Sequence, residues 1–205
     1  MTVLYTIGHS THSAEKVIGL LHAHRVSAVA DVRSRPYSRM NPQFNREPYS
    51  AQLKAAGIAY VFLGRELGAR SEDRSCYVEG KVQYDLLAQT ELFQVGLNRI
   101  IEGMTSHRVA LMCAEKDPLT CHRTILVCRH LVVRGVAVEH ILEDGRLESH
   151  ENALSRLLGE LGLPERDLFR SRDEIVEEAF SKRGQQIAYS ESATSEDQAM
   201  RGVGP

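Results

Sequence analysis

Short apolar runs alternate along the chain with longer segments in which apolar residues recur at helical spacing. The runs at residues 3–7, 28–32, 59–63, 109–112 and 136–142 have the length of buried strands. Strands that alternate with helical segments are typical of βα units and a parallel sheet. The sequence therefore predicts a Rossmann-like α/β protein, with a mostly parallel central sheet and helices on both faces.

The helical pattern falls into five segments, which predict helices over residues 14–24, 48–57, 84–103, 121–134 and 152–161. Ser13 is a suitable N-cap for the first, and Gly57 ends the second. The turn at residues 143–145 is expected to open a hairpin to a short edge strand. We expect an α/β domain over residues 1–163. Residues 164–205 would form an acidic extension, partly helical and then disordered from residue 190.

The composition is that of an ordinary globular protein. The chain has 205 residues, of which 42% are hydrophobic and 25% are charged, and this excludes the collagen-like and disordered classes. No apolar run approaches the roughly 20 residues that span a bilayer, and the N-terminal segment lacks a secretory pattern. Four cysteines are too few for a disulfide framework. These features predict a cytoplasmic protein with reduced cysteines and no membrane partner.

Charge is distributed unevenly along the chain. Residues 1–142 carry 17 basic and 13 acidic residues, whereas residues 143–205 carry 8 and 14. The strongest basic segment runs from Arg33 to Arg46 and contains four arginines and no acid. This composition favours an anion-binding loop. The alternative is a solvated surface loop whose arginines pair with nearby acids.

Polar residues that could take part in catalysis or binding follow directly after several predicted strands. His9 follows the first strand, Asp31 and Arg33 end the second, and Cys113 and Glu115 follow the strand at residues 109–112. The carboxyl ends of parallel strands meet at one edge of a sheet, where ligands bind. We therefore expect these side chains to share one rim.

Cys113 is the candidate nucleophile, because a nearby helix N-terminus and arginines would favour its thiolate. The alternative is a small hydrophobic residue that ends a buried strand. Glu115 is the candidate general acid or base, and its alternative role is an ion pair with Arg33 or Arg123. Asp31 and His9 complete the catalytic candidates. The candidates for binding an anion or substrate are Ser10, Arg33, Arg39, Arg123 and His122.

Neither a metal nor a cofactor is expected from the motifs. The spacing Cys113-x7-Cys121-His122 matches none of the usual zinc ligand pairs. Cys128 is expected in the core, and Cys76 lies in a polar stretch and is interpreted as incidental. The sequence lacks the motifs G-x-G-x-x-G, G-x-x-x-x-G-K-[ST], G-x-S-x-G and H-E-x-x-H. Dinucleotide oxidoreductases, P-loop nucleotidases, α/β-hydrolases and zincins are therefore disfavoured.

Five ordered motifs carry a family likeness across residues 6–141. They are TIGHS, DVRSRPYSR followed by Phe44, YVFLGRELG, LMCAEKDPLTCHR and VEHI. Together they resemble the uncharacterised prokaryotic family catalogued as domain of unknown function 488. The resemblance implies an α/β fold with a polar site and brings no established reaction. The family's motif residues correspond to His9, Ser10, Asp31, Arg33, Pro36, Ser38, Arg39, Phe44, Gly64, Cys113, Glu115, Cys121, His122, Arg123 and His140.

Three functions remain open at this point. The first is an enzyme acting on a phosphate-bearing substrate, a nucleotide or nucleic acid, through Cys113 and Glu115 with arginines that bind the anion. The second is sulfur transfer through Cys113, because the Asp-x-Arg and the later cysteine faintly resemble rhodanese-like sulfurtransferases. However, Glu115, Asp117 and Pro118 stand where those enzymes would have a short Gly-rich loop whose backbone N–H groups surround a persulfide. The third is a non-catalytic nucleic-acid-binding module, in which the basic loop binds the nucleic-acid backbone and bases stack on Tyr37 and Phe44.

Overall fold

A computed structural model describes residues 3–191 and contains a six-stranded main sheet. The strands, in chain order, are β1 (Val3–Gly8), β2 (Ala28–Asp31), β3 (Ala59–Phe62), β4 (Tyr77–Val78), β5 (Lys81–Val82), β6 (Val109–Cys113), β7 (Ala137–Ile141) and β8 (Leu147–Ser149). The main sheet has the order β3-β2-β6-β1-β7-β8, and β4 pairs only with β5. All neighbours in the main sheet are parallel except β7 and β8, which form the predicted hairpin. The fold class predicted from the sequence is confirmed.

Helices cover both faces of the sheet, as the sequence predicts. They are α1 (Ala14–Ala23), α2 (Arg46–Ala55), α3 (Gly64–Leu67), α4 (Tyr84–Gln89), α5 (Glu91–Gly103), α6 (Arg129–Val133), α7 (His150–Glu160) and α8 (Arg172–Ile187). Successive strand residues point to opposite faces, and the structure follows this rule: Tyr5 and Val29 face α1 and α2, whereas Leu4 and Ala30 face the other helices. The two buried clusters therefore lie on opposite sides of one sheet.

Three local features differ from the expectations. The predicted helix 84–103 is interrupted at Thr90, whose side chain caps α5 by accepting a hydrogen bond from the Phe93 amide at 3.2 Å. The predicted helix 121–134 is wound as a π-helix over Arg123–Cys128 before α6 begins. Cys76, interpreted as incidental, is 1% exposed and belongs to the core.

The segment expected to be an acidic extension contributes to the same core. Ile175, Ala179 and Phe180 of α8 are buried against it, and the capping box of Ser171 and Glu174 fixes the start of this helix. After α8 the chain runs beside β5, where the Val82 amide donates to the carbonyl of Tyr189 at 3.0 Å. Ser190, the first residue of the segment predicted to be disordered, bridges to Lys81, and the part of that segment after residue 191 lies outside the described residues. None of the helices in residues 3–191 is long and apolar enough to cross a membrane.

Candidate active site

The sheet order brings the predicted site residues to one edge. β6 lies between β1 and β2, with Cys113 beside Gly8 and Met112 beside Asp31. The pairing continues past the sheet, where the His9 amide donates to the Cys113 carbonyl at 2.9 Å. His9, Asp31, Arg33, Cys113 and Glu115 therefore meet at the carboxyl edge, where ligands bind in open α/β sheets.

A first group of side chains, here called the thiol–carboxylate cluster, consists of Cys113, Glu115, Cys121 and His122. The carboxylate oxygen Oε2 of Glu115 accepts from Sγ of Cys113 at 2.9 Å and from Sγ of Cys121 at 3.1 Å. Nδ1 of His122 is 3.7 Å from Sγ of Cys113. One ligand atom from each of the four side chains lies within 4.8 Å of the other three. Glu115 is exposed as a whole residue, but its carboxylate faces the two buried thiols.

A tight turn brings Cys121 and His122 back to the strand end. After β6 the chain makes a 3-10 turn at Pro118–Thr120, and the side chain of Asp117 caps it by accepting from the Leu119 amide at 2.8 Å. Cys121 is in extended conformation, with φ −132° and ψ 138°, and lies before the helix. Its sulfur therefore points back toward Cys113 rather than along the helix surface.

Arg123 supports the loop that carries Glu115. Its guanidinium is 1% exposed and donates to the carbonyls of Glu115 at 2.6 Å and Lys116 at 3.1 Å. Gly8 lies on the other side of the same carbonyl, so close that a β-carbon there would be 1.8 Å from the Glu115 oxygen. A glycine at this position thus permits the backbone approach that places the Glu115 carboxylate.

Burial and mutual charge set the proton affinities of the cluster. Burial raises the pKa of Cys113 and, together with the negative charge of Cys121, that of Glu115. Burial alone would raise the pKa of Cys121 as well, but the hydrogen bond with Cys113 and the Arg123 guanidinium hold it well below its usual value. These directions favour Cys121 as the thiolate, and the expectation that nearby arginines favour the Cys113 thiolate is not met, because burial outweighs them there.

A second group, the buried arginine cluster, surrounds Arg33. Its guanidinium forms a bidentate ion pair with Asp31, at 2.9 and 2.7 Å, and also donates to the Phe44 carbonyl at 2.8 Å. Tyr60 donates to the same carboxylate at 2.8 Å. Nη1 of Arg33 lies 3.1 Å from Nε2 of His9, whose ring stacks on Phe44. The bidentate geometry fixes the guanidinium within the protein.

The environment of His9 favours its neutral form. Burial and the Arg33 charge lower the pKa of His9 to about 4. A neutral ring accepts from Arg33 at Nε2 and donates from Nδ1 to the Ser10 carbonyl at 2.9 Å. His9 thus serves as an acceptor for Arg33 at neutral pH. Ser10 itself has a left-handed backbone, with φ 49°, an uncommon conformation for this residue type.

The candidates for anion binding are placed differently from one another. Arg33 and Arg123 are buried and donate to protein acceptors. Arg39 is exposed and forms no hydrogen bond or ion pair with any of residues 3–191. His122 belongs to the thiol–carboxylate cluster, and its Nε2 lies 3.0 Å from the Val32 carbonyl, which links the two clusters. The Glu115 carboxylate contacts the two thiols. It forms no ion pair with Arg33 or Arg123, the two arginines considered as its partners.

A cleft of about 390 Å³ reaches the thiol–carboxylate cluster from outside. Its lining includes Glu115 and His122, and the end of α8 forms another wall. Arg70 lies at its rim and stacks over the Tyr189 ring at 4.5 Å. A second cleft of about 390 Å³ shares these two residues and adds Arg35 and Arg74. Sequence reasoning missed Arg70 and Tyr189, since their contact joins positions far apart in the chain.

Comparisons with known proteins give one match. A family model described as domain of unknown function DUF488 matches residues 13–129, more than half of the chain. Neither the curated proteins nor the solved structures contain a match. The matched segment includes the whole thiol–carboxylate cluster.

Proposed function

The chain belongs to the DUF488 family, whose description names no activity, and we propose that it is an enzyme acting on a phosphate-bearing substrate. The substrate class is a nucleotide or a nucleic acid, bound in the cleft beside Glu115 and His122. The observation that carries the proposal is a buried group of titratable side chains that opens onto a cleft lined by Arg70. A second cleft is lined by Arg70, Arg35 and Arg74, and also by Glu72 and Glu191. Such a combination of concavity and perturbed ionisation is typical of active sites.

The arginines at the two clefts support the anionic substrate. Arg70 lines both clefts, and Arg35 and Arg74 line the second. Arg35 is exposed and has no ion pair with any residue in the range 3–191, so its planar donors are available for a phosphate. Each cleft volume lies in the range of small-molecule sites. Because Arg33 and Arg123 are occupied by protein acceptors, we assign direct anion binding to Arg70 and Arg35.

Glu115 is the residue proposed to move protons in the reaction. The pKa of Glu115 is raised toward neutral pH, and a general acid or base works best when its pKa lies near the working pH. It contacts Cys113 directly and lines the cleft as well. Cys113 and Glu115 thus form a pair in which the proton released by one group has an acceptor 2.9 Å away.

Sulfur transfer at Cys113 has less support from the geometry. A persulfide on this sulfur would carry negative charge next to the Glu115 carboxylate, which is 2.9 Å from Sγ. Like charges at this separation are unfavourable in a buried site. The phosphate-bearing substrate is therefore the better match.

The experiment measures binding and product formation with nucleoside mono-, di- and triphosphates and short oligonucleotides. We expect Arg70→Ala to weaken binding by about 10- to 100-fold, the range for losing a charged hydrogen bond. Glu115→Gln should leave binding intact and lower turnover by about 100- to 10,000-fold. Arg25→Ala is the matched control, because Arg25 is exposed at the opposite edge of the sheet, between α1 and β2.

The proposal fails if the wild-type chain neither binds nor converts any of these compounds. It also fails if Arg70→Ala and Arg25→Ala have equal effects on binding. Salt-dependent binding of oligonucleotides without turnover would instead indicate a nucleic-acid module. Formation of thiocyanate from thiosulfate and cyanide, lost in Cys113→Ser, would indicate sulfur transfer.

A further inference from the structure

The thiol–carboxylate cluster has the composition of a metal site as well as that of a reactive centre. We propose that Cys113, Cys121 and His122 bind a divalent transition-metal ion, Zn²⁺ by the chemistry of the donors, with Glu115 as the fourth partner on the side of the cleft. Two sulfurs, one imidazole nitrogen and one carboxylate oxygen form a donor set that zinc commonly takes in proteins. Soft thiolates favour zinc over Mg²⁺ or Ca²⁺.

The separation of Cys113 and His122 matches a small tetrahedral site, whereas the Glu115 oxygen lies closer to both sulfurs than a tetrahedral edge. With usual zinc bond lengths, the edges of a tetrahedron of sulfur and nitrogen donors are about 3.5 to 3.8 Å. Sγ of Cys113 and Nδ1 of His122 are 3.7 Å apart, and the Glu115 oxygen is 2.9 and 3.1 Å from the two sulfurs. A metal at the centre would replace the thiol hydrogens that now bridge these short contacts.

His122 is oriented as a metal ligand should be. Its Nε2 lies 3.0 Å from the Val32 carbonyl, which can only accept, so Nε2 carries a hydrogen. When the ring is neutral, the Nδ1 lone pair then faces Cys113. Burial alone would lower the pKa of His122, but the hydrogen bond and the charge of Cys121 raise it, so metal binding at this ring would release a proton. Metal-binding histidines usually donate their second ring N–H to a carbonyl or carboxylate, which fixes the tautomer and the ring orientation.

The charges around the cluster also fit a bound dication. With a metal bound, Cys113 and Cys121 would be thiolates and Glu115 a carboxylate, and these three negative charges in a largely buried place require partners. A divalent ion and the adjacent Arg123 guanidinium together neutralise them. The Arg123 amide also donates to Sγ of Cys121 at 3.4 Å, an outer contact that stabilises a thiolate.

The spacing Cys113-x7-Cys121-His122 matches none of the usual zinc ligand pairs, and the sequence predicted a helix from residue 121. Cys121 instead has extended backbone angles, and the 3-10 turn at Pro118–Thr120 returns the chain to β6. The ligand set is therefore assembled by the fold. In this assignment Cys113 is a ligand rather than a reacting group, and Glu115 takes part in the proton transfer proposed above only when it is not bound to the metal.

The test uses the full chain, first freed of metal in the presence of a non-thiol reductant and then titrated with Co²⁺ and Zn²⁺. One equivalent of Co²⁺ should produce the thiolate-to-cobalt charge-transfer absorption and the strong visible bands of a tetrahedral site, and Zn²⁺ should abolish both. Cys121→Ser should weaken binding by more than the about 10- to 100-fold that loss of an outer partner costs. Cys128→Ala, which removes a buried thiol outside the cluster, should leave binding unchanged.

A second measurement needs no variant and covers the case in which Cys121→Ser does not fold. Zn²⁺ should slow alkylation of Cys113 and Cys121 in the wild-type chain, with Cys76 and Cys128 as internal references. The proposal is overturned if Co²⁺ gives no charge-transfer band, if Cys128→Ala weakens binding as much as Cys121→Ser, or if zinc protects all four thiols equally. Metal binding is measured without substrate, so its failure leaves the nucleotide assays unaffected, and the reverse also holds.

Discussion

Replacing Gly8 with alanine should test how the site is held together. The added β-carbon would lie 1.8 Å from the Glu115 carbonyl oxygen and 2.8 Å from its carbonyl carbon, and both atoms belong to backbone. Real β-carbons essentially never come within 3.0 Å of another atom in this way, so the Glu115–Lys116 segment must move by roughly 1 Å or more. That movement disturbs the hydrogen bond that Arg123 donates to the Glu115 carbonyl at 2.6 Å.

Two costs arise in this variant. Forcing an extra methyl group into a packed region costs about 1 to 3 kcal/mol. Loss of a buried hydrogen bond from a charged donor costs about 1.5 to 3 kcal/mol. Partial relaxation of the structure reduces both costs, so they do not add in full. We expect a decrease of about 3 to 4 kcal/mol in the free energy of unfolding. For a chain of this length the melting temperature should fall by about 10 °C.

Urea denaturation followed by circular dichroism measures the change, and Gly19→Ala is the matched control. Gly19 lies inside α1, and a β-carbon there meets no atom within 4 Å. Alanine at this position should stabilise the protein by about 0.5 to 1 kcal/mol through helix propensity. If Gly8→Ala stays within about 0.5 kcal/mol of the wild type, the range of an ordinary surface substitution, the close approach of the Glu115 backbone to β1 is refuted.

Three further predictions concern the two clusters. Asp31→Ala leaves Arg33 buried without its ion-pair partner and should lower the free energy of unfolding by about 3 to 5 kcal/mol. Tyr60→Phe removes one donor to the charged Asp31 carboxylate and should lower it by about 1.5 kcal/mol; equal effects of the two variants would contradict the assignment. The pKa of His9 is about 4 in the folded chain against a usual value of 6.5, so its contribution to stability is complete above pH 6.5 and is lost as the pH falls toward 4. Between pH 7.5 and 5.5 the free energy of unfolding should decrease by about 1.3 kcal/mol from this residue, and His9→Gln should remove that part of the slope in denaturation curves. In the metal-free chain Cys121 should be alkylated before Cys113, because Cys113 and Arg123 lower the pKa of Cys121 while burial raises the pKa of Cys113. Peptide mapping measures the order, and faster labelling of Cys113 would contradict the prediction.

The sheet and its edge were predictable because local patterns determine them. β6 is apolar and buried along its whole length, and the residue after such a strand necessarily emerges at the rim. The proximity of Asp31 and Arg33 follows from their separation of two positions on one strand end. These patterns involve only a few neighbouring residues, so they can be recognised in the sequence.

The parts that were missed depend on contacts between distant segments or on turns without a clear signal. The return of Cys121 to Cys113 depends on a three-residue turn capped by Asp117. This turn was not predicted, because the sequence pattern indicated only a helix that begins at residue 121. Arg70 gains its position from Tyr189, which is more than a hundred residues away. The burial of Cys76 depends likewise on packing against the main core. No local periodicity encodes such arrangements.

The two walls of the cleft come from parts of the chain that differ in their match to the family. The cluster residues Glu115 and His122 lie within the matched segment, which ends at residue 129. The opposite wall, with Ile187 and Tyr189, lies about sixty residues beyond that segment. Under the proposed function, the reacting groups and the anion-binding Arg35 and Arg70 lie in the matched segment, whereas the segment after α7 shapes the opposite wall of the cleft. Exchanging the segment after α7 between members of the family is therefore a route to altered specificity that leaves the reacting groups untouched.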